Sequence, residues 1–295
     1  MKVLILGGSG MLGHKLVQAF STMFEVKYTL HSNFASVKQF EFFRREDSFE
    51  NIDAADFNSV RKAIETAEPD VIVNAIGIIK QAQGSHNIPR TLTINSIFPH
   101  QLAELSKVLG FRLITMSTDC VFSGDRANHV ESHVPDALDL YGQSKHWGEI
   151  EQDRCLTIRT SIVGRELISS RGLLEWFISQ RGGRVKGYSK AIFSGFPTLV
   201  FADIIKDIIE KHHELSGVFH ISSDPISKFE LLSKINSRFN LSVEIDKFEN
   251  FVIDRSLDST KFKELTGFKP QNWDEMIEQM ASDPTPYDKW KSHAN

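Results

Sequence analysis

Cysteine is scarce in this sequence, with only Cys120 and Cys155 among 295 residues. Two thiols so far apart make neither a disulfide framework nor a four-cysteine zinc site, so a reducing, cytoplasmic location is expected. A basic excess is also missing. Lys and Arg number 34 against 38 Asp and Glu, for a net charge of -4, which argues against nucleic acid as a partner. No stretch approaches the roughly 18 consecutive apolar residues of a membrane span. The longest apolar runs, residues 3 to 6 and 71 to 79, are strand-sized. Residues 3 to 13 lack charge, but only Lys2 precedes them and no small-residue cleavage site follows, so they read as a strand entering a glycine loop rather than a signal peptide. No repeat, low-complexity tract or flexible linker occurs. What is present, 41% hydrophobic and 24% charged residues, is globular composition sufficient for one large or two modest domains.

Up to about residue 160, β-rich apolar runs alternate with amphipathic helical stretches. That pattern predicts a parallel sheet covered by helices on both faces. Val3, Leu4, Ile5 and Leu6 form a run unbroken by polar residues, as in a strand buried on both sides. Leu12, Leu16, Val17 and Phe20 then recur at helical spacing. Further strands are expected at 26 to 30, 71 to 73, 111 to 116 and 156 to 158, with helices between them that end at Glu68-Pro69 and at Gly110. Beyond about residue 165 the periodicity loosens. Helices are expected at 173 to 178, 204 to 209, 229 to 235, 261 to 265 and 273 to 280, with a strand at 218 to 221.

Three segments carry chemistry. Gly7, Gly10 and Gly13 follow the first strand and open a helix, in a G-x-x-G-x-x-G spacing one residue different from the usual dinucleotide fingerprint. Such glycines let the backbone turn sharply and approach a pyrophosphate at a helix N-terminus, although a bare glycine triplet is often only a turn. Tyr141 and Lys145 are four residues apart and share one helical face. Bringing a phenol from its pKa of about 10 to neutrality takes about 4 kcal/mol, part of which a neighbouring lysine cation supplies. An isolated pair of this kind is as readily an incidental surface feature. The third segment is Ser117-Thr118-Asp119-Cys120-Val121-Phe122-Ser123-Gly124, at the end of a predicted strand. Ligands of open α/β sheets bind at such ends, which places Ser117 and Thr118 to donate a hydrogen bond to a substrate carbonyl.

In this order the three segments resemble the extended short-chain dehydrogenase/reductase superfamily, and within it the dTDP-4-dehydrorhamnose reductase group. Asn74-Ala75-Ile76-Gly77, Asn95, Arg159-Thr160-Ser161, Gly195-Phe196-Pro197-Thr198 and Arg255-Ser256-Leu257-Asp258 are similar to further segments of that group. Cys120, where those reductases commonly carry an aromatic residue, and Ile76-Gly77, where a pair of small residues is more usual, depart from it. The resemblance implies an α/β, doubly wound parallel sheet of Rossmann type with a smaller C-terminal α/β substrate lobe. Residues 1 to 165 would form the cofactor and catalytic domain. Residues 166 to 295 would mainly form the substrate lobe, with segments near 195 to 222 and 254 to 258 returning to the first domain.

The implied reaction is hydride transfer to the keto group of a nucleotide-activated 4-keto-6-deoxy sugar, for cell-surface polysaccharide precursors. Tyr141 would deliver the proton, Lys145 would lower the tyrosine pKa and bind the nicotinamide ribose, and Thr118 would hold the carbonyl oxygen. The expected cofactor contacts are Gly7, Gly10, Met11, Leu12, Gly13, His31, Ser32, Asp53, Asn74, Ala75, Gly77, Tyr141, Lys145 and Ser161. Thr118, Cys120, Trp176 and Phe196 are the expected substrate contacts. No carboxylate stands at the end of the second strand, where Leu30-His31-Ser32-Asn33 occurs, and this favours NADPH over NADH. No metal is expected: His129, Glu131 and His133 lack a further ligand and read as a solvated loop. A homodimer formed by helix pairing, common in the superfamily, fits the same resemblance. Two rivals stand beside it, an epimerase or dehydratase with retained NAD and a non-catalytic nucleotide-binding regulatory subunit.

Overall fold

The computed structural model describes residues 1–80 and 86–292. It opens with β1 (Lys2–Leu6), α1 (Gly13–Phe20), β2 (Glu25–Thr29), the short β3 (Ser48–Phe49), α2 (Phe57–Ala67) and β4 (Val71–Asn74). There follow α3 (Ile88–Leu92), a π-helical turn at Thr93–Ile97, α4 (Phe98–Leu109), β5 (Arg112–Met116), α5 (Leu140–Trp147) and β6 (Cys155–Arg159). Next come β7 (Ile162–Val163), α6 (Leu173–Ser179), β8 (Arg184–Phe193), β9 (Phe196–Pro197), α7 (Thr198–Lys211) and β10 (Gly217–His220). The chain ends with β11 (Ile226–Ser227), α8 (Lys228–Arg238), β12 (Glu244–Asp254), α9 (Thr260–Thr266), α10 (Trp273–Ala281) and α11 (Tyr287–Ser292).

Seven strands form one parallel sheet in the order β10-β6-β5-β4-β1-β2-β3. The chain reverses its direction of winding at β1, so the crevice of this doubly wound sheet opens at the carboxyl ends of β1 and β4. The apolar run in β1 is explained by burial on both faces. Val3 and Ile5 join one core with Leu16, Val17 and Phe20 of α1 and Phe201, Ile205 and Ile208 of α7. Leu4 and Leu6 point the other way, into a core with Val60 and Ile64 of α2 and Phe98 and Leu102 of α4. Each such side chain contributes about 1.5 to 3 kcal/mol on burial.

The helix ends follow the punctuation in the sequence. Gly110 caps α4 in the left-handed region at φ 80°, and Glu68 does the same for α2 at φ 46° just before Pro69. The strand at 217 to 220 joins the large sheet as its edge beside β6, and a bridge pairs Leu257 with His129. Two long strands were not anticipated. β8 pairs in parallel with β12 and antiparallel with β11 in a separate three-stranded sheet. No described helix is long and apolar enough to cross a membrane.

Candidate functional site

The glycine loop leaves β1 at the sheet crevice. Gly7 sits at φ 84°, a conformation only glycine adopts without strain, and its amide donates to Thr29 Oγ1 at 2.9 Å. A Cβ on Gly13 would run into the Gly7 carbonyl, and one on Gly8 would lie 2.8 Å from Tyr28 Cβ. The loop is therefore drawn tightly against β1 and β2, with its outer edge at exposed Gly10 left bare of side chain. This bare, turned backbone at the start of α1 fits a dinucleotide pyrophosphate. Met11 is half-buried beside Gly172, and Leu12 is in the core.

Beyond β4, Asn74 is buried, and its Oδ1 accepts from the Ile76 amide at 3.1 Å while the Ala75 amide donates to Leu6. The π-helical turn at 93–97 presents Asn95, whose side chain exchanges hydrogen bonds with the Ile78 backbone at 2.8 and 3.0 Å and donates to Ser144 Oγ at 3.0 Å. Asn95 thus fastens the loop after β4 to α5, the helix that carries Tyr141 and Lys145. A Cβ on Gly77 would lie 3.6 Å from Lys145 Nζ, so the absence of a side chain keeps space open in front of the ammonium.

Asp139 begins α5 by accepting from the Gly142 amide at 3.1 Å. Gly142 packs directly on the Cys120 backbone, where any side chain would collide with the Cys120 carbonyl. This contact brings Tyr141 to the Thr118–Cys120 turn at the end of β5. Burial is the main influence that raises the Tyr141 pKa, aided by Cys120 and opposed by the hydrogen bond with Thr118. Thr118 is buried, and its Oγ1 donates to Asp119 Oδ1 at 3.2 Å and accepts from the Cys120 amide at 3.1 Å. Lys145 Nζ donates to the Met116 carbonyl at 2.5 Å. Burial lowers its pKa to about 8, and the Glu149 carboxylate opposes that shift. Thr118, Tyr141 and Lys145 therefore converge at the carboxyl end of β5. The expectation that Lys145 depresses the tyrosine pKa does not hold here: burial dominates Tyr141, and the lysine charge is engaged by a backbone carbonyl.

Glu149 was missed in the sequence. Its buried carboxylate accepts from Arg159 at 2.7 Å through both Nε and Nη2, from Ser117 Oγ at 2.7 Å and from His146 at 3.0 Å. These partners hold its pKa at about 2 against the opposing effect of burial. Ser117 is consequently committed to Glu149 rather than to a substrate. The position four residues after Lys145, on the same side of the turn, was the available signal.

The remaining expected contacts fall as follows. His31 and Ser32 are exposed beyond β2. Asp53 is paired with Arg90 Nη2 at 3.1 and 3.2 Å, which with the Ala55 amide keeps its pKa low although desolvation acts the other way. A carboxylate does approach this edge from elsewhere: Glu50 accepts from the Phe34 amide at 2.7 Å and from Arg45 at 2.9 Å. Ser161 is half-buried, and its carbonyl accepts from the Phe196 amide. Trp176 is exposed on α6, and Cys120 is half-buried beside Tyr141. Phe196 is fully buried and stacked on Phe201, so as placed it offers no face to a base.

The 129 to 133 segment is not the solvated loop expected. His129 is buried and stacked on Phe122, with ring centroids 3.7 Å apart, because the Leu257 bridge covers it. Among the described residues no His, Cys, Asp and Glu group could hold a metal ion.

The model of the RmlD substrate binding domain matches residues 1–285. The spore coat polysaccharide biosynthesis protein SpsK of Bacillus subtilis is 24% identical over 94% of this chain and 96% of its own. Methionine adenosyltransferase 2 subunit beta of Bos taurus is 26% identical over 81% of this chain and 72% of its own. Among solved structures, dTDP-4-dehydrorhamnose reductase of Bacillus anthracis in complex with NADP superposes with a TM-score of 0.77. It is 22% identical and covers 95% of this chain and 98% of its own.

Proposed function

The chain belongs to the RmlD substrate binding domain family, and on that premise we propose that it is a cytoplasmic NADPH-dependent reductase of a nucleotide-activated 4-keto-6-deoxy sugar, supplying precursors of cell-surface polysaccharide. The observation that carries the reading is the convergence of Thr118, Tyr141 and Lys145 at the carboxyl end of β5. Residues 1 to 165 act as the cofactor and catalytic domain, and residues 166 to 295 mainly shape the substrate pocket. The described part of that lobe ends at residue 292. A homodimer formed through helix pairing belongs to the same reading, and sedimentation measures it.

NADPH supplies the hydride and its own redox chemistry. The turn from Gly7 to Gly13 offers it backbone amides and the positive end of α1. Lys145, in the space kept open by Gly77, binds and orients the ribose. Thr118 turns its hydroxyl from Asp119 Oδ1 to the substrate carbonyl oxygen and holds it by a hydrogen bond, and the Tyr141 hydroxyl gives its proton to that oxygen as negative charge develops there. The raised pKa of Tyr141 suits this direction of transfer, because the phenol stays protonated at neutral pH. With no carboxylate at positions 30 to 33, exposed His31 and Ser32 would be available to a cofactor 2′-phosphate, while the Glu50 carboxylate at the same edge is held by the Phe34 amide and Arg45.

The test is a screen of 4-keto-6-deoxy nucleotide sugars, following NADPH absorbance. Tyr141→Phe is expected to lose turnover by about 10²-fold or more, as for removal of a general acid, while keeping NADPH affinity. Near wild-type turnover in that variant would overturn the assignment. The likeness to methionine adenosyltransferase 2 subunit beta favours a second reading, a nucleotide-binding regulatory subunit. Bound nucleotide without ketone-dependent NADPH oxidation across the screen would select it.

A further inference from the structure

Two cations meet the catalytic turn from the C-terminal lobe, and no carboxylate within ion-pairing distance neutralises either one among the described residues. Ser227 of β11 and Asp254 of β12 flank the same β8 residue, Ile192. Neighbouring strands lie about 4.8 Å apart, so Lys228 and Arg255 leave this sheet from backbones separated by roughly 10 Å. Both reach towards Cys120. Arg255 Nη1 lies 3.8 Å from Cys120 Sγ, while Nε and Nη2 donate to the carbonyls of Phe122 at 2.7 Å and Ser123 at 3.0 Å. A guanidinium has five donors, so two remain free. Lys228 Nζ stands 4.3 Å over the Phe193 ring and has no hydrogen-bond acceptor among the described residues. Asp119 and Cys120 are the groups whose charge it senses. Asp119 and Asp139 are the carboxylates within electrostatic reach of these cations among the described residues, and Asp139 is already paired with Lys80 at 2.9 Å. Tyr141 also lies close to Cys120.

An unneutralised, half-buried ammonium costs stability unless a ligand anion completes it. In a nucleotide-activated 4-keto sugar the diphosphate and the keto group sit on opposite sides of one sugar ring. Cys120 is common to both sets: its Sγ meets Arg255 and it is sensed by Lys228, while its amide donates to Thr118 Oγ1 and its thiol lies by Tyr141. We propose that Lys228 and Arg255 form the anion subsite that binds the diphosphate of the sugar nucleotide, an assignment that rests on the reductase reading above. Lys228 serves as a point charge on one side of the diphosphate. Arg255, already oriented by two backbone carbonyls, directs its free N–H groups to the other.

Titration calorimetry with dTDP and with UDP tests the assignment on the full-length protein. The wild type is expected to bind one of them, and Lys228→Met and Arg255→Met each to weaken that binding about tenfold or more, the scale of one charge-assisted hydrogen bond. Lys228→Arg is expected to restore most of the loss. NADPH affinity, read in the same variants, reports that they are folded, and the Lys228 ammonium makes no hydrogen bond among the described residues whose loss would confuse the result. Variants that bind the nucleoside diphosphate as tightly as wild type would overturn the subsite and leave the reductase reading standing. A wild-type protein that binds neither nucleotide and reduces no nucleotide sugar would overturn that reading, and the subsite with it.

Discussion

The charge of Lys145 is finely poised. Burial beside Gly77 pulls its pKa down to about 8, and only the Glu149 carboxylate pulls the other way. A lysine that binds the ribose and the developing charge as a cation works below that pKa. In the free enzyme kcat/KM should therefore fall as pH rises through about 8, following the loss of one proton. A profile flat to pH 10 would show that the ammonium is not required. Sequence reasoning singled out Tyr141, Lys145 and Thr118 as candidates from spacing and order. It did not find what each one faces: the Met116 carbonyl beneath Lys145 and the Cys120 thiol beside Tyr141 come from other segments.

At the scale of elements, the C-terminal helix α11 straps the helix that follows the glycine loop. His14 Nδ1 donates to the Gly10 carbonyl at 2.8 Å, so Nε2 is left to accept from the Tyr287 hydroxyl at 2.7 Å. Lys15 pairs with Asp283, and Arg165 joins Glu175 at 2.7 Å and Asp288 at 2.5 Å. Trp290 packs on Phe40 with ring centroids 4.9 Å apart. Tyr287→Phe leaves the buried His14 nitrogen without a donor and should cost about 1 to 3 kcal/mol, measured as a lower midpoint in urea at unchanged slope. An unshifted midpoint would mean that water replaces the phenol. None of this was legible in the sequence, because Tyr287 lies 273 residues from His14. β12 escaped notice for a different reason. β12 is largely exposed, and its polar composition carries no apolar alternation to read.

For the whole molecule, the buried histidines His14, His129 and His220, all with pKa values lowered chiefly by burial, and the buried Glu149 carboxylate shape the response to acid. Burial lowers His14 from 6.5 to about 4, and burial with the nearby Arg159 charge does the same to His220. The folded pKa lies below the unfolded one in both cases, so the unfolded chain binds the extra protons and stability is lost as pH falls from 6.5 towards 4. Each histidine removes about 1.4 kcal/mol per pH unit in that window. Glu149, lowered from 4.5 to about 2, adds a further loss below pH 4.5. Two histidines together remove several kcal/mol by pH 4, on the order of the 5 to 15 kcal/mol that stabilises a typical domain. Urea unfolding at pH 7.5, 6 and 5 should show this decline, and equal stability at all three would refute it.

The sequence by itself determined the parallel sheet and the glycine loop that leaves it. Burial of β1 on both faces demands an unbroken apolar run, and the turn after it demands glycine at Gly7 and Gly13. Both requirements are local and leave their mark on neighbouring residues. It also placed Thr118, Tyr141 and Lys145, whose spacing is set by one strand end and one helix. Tertiary structure alone decided which groups are neutralised and which are left open. Ser117 was drawn to Glu149 and His129 into the core, and Lys228 and Arg255 were set around Cys120 without ion-paired carboxylates among the described residues. Those outcomes depend on pairing between residues tens to hundreds of positions apart, and no local period or composition records such contacts.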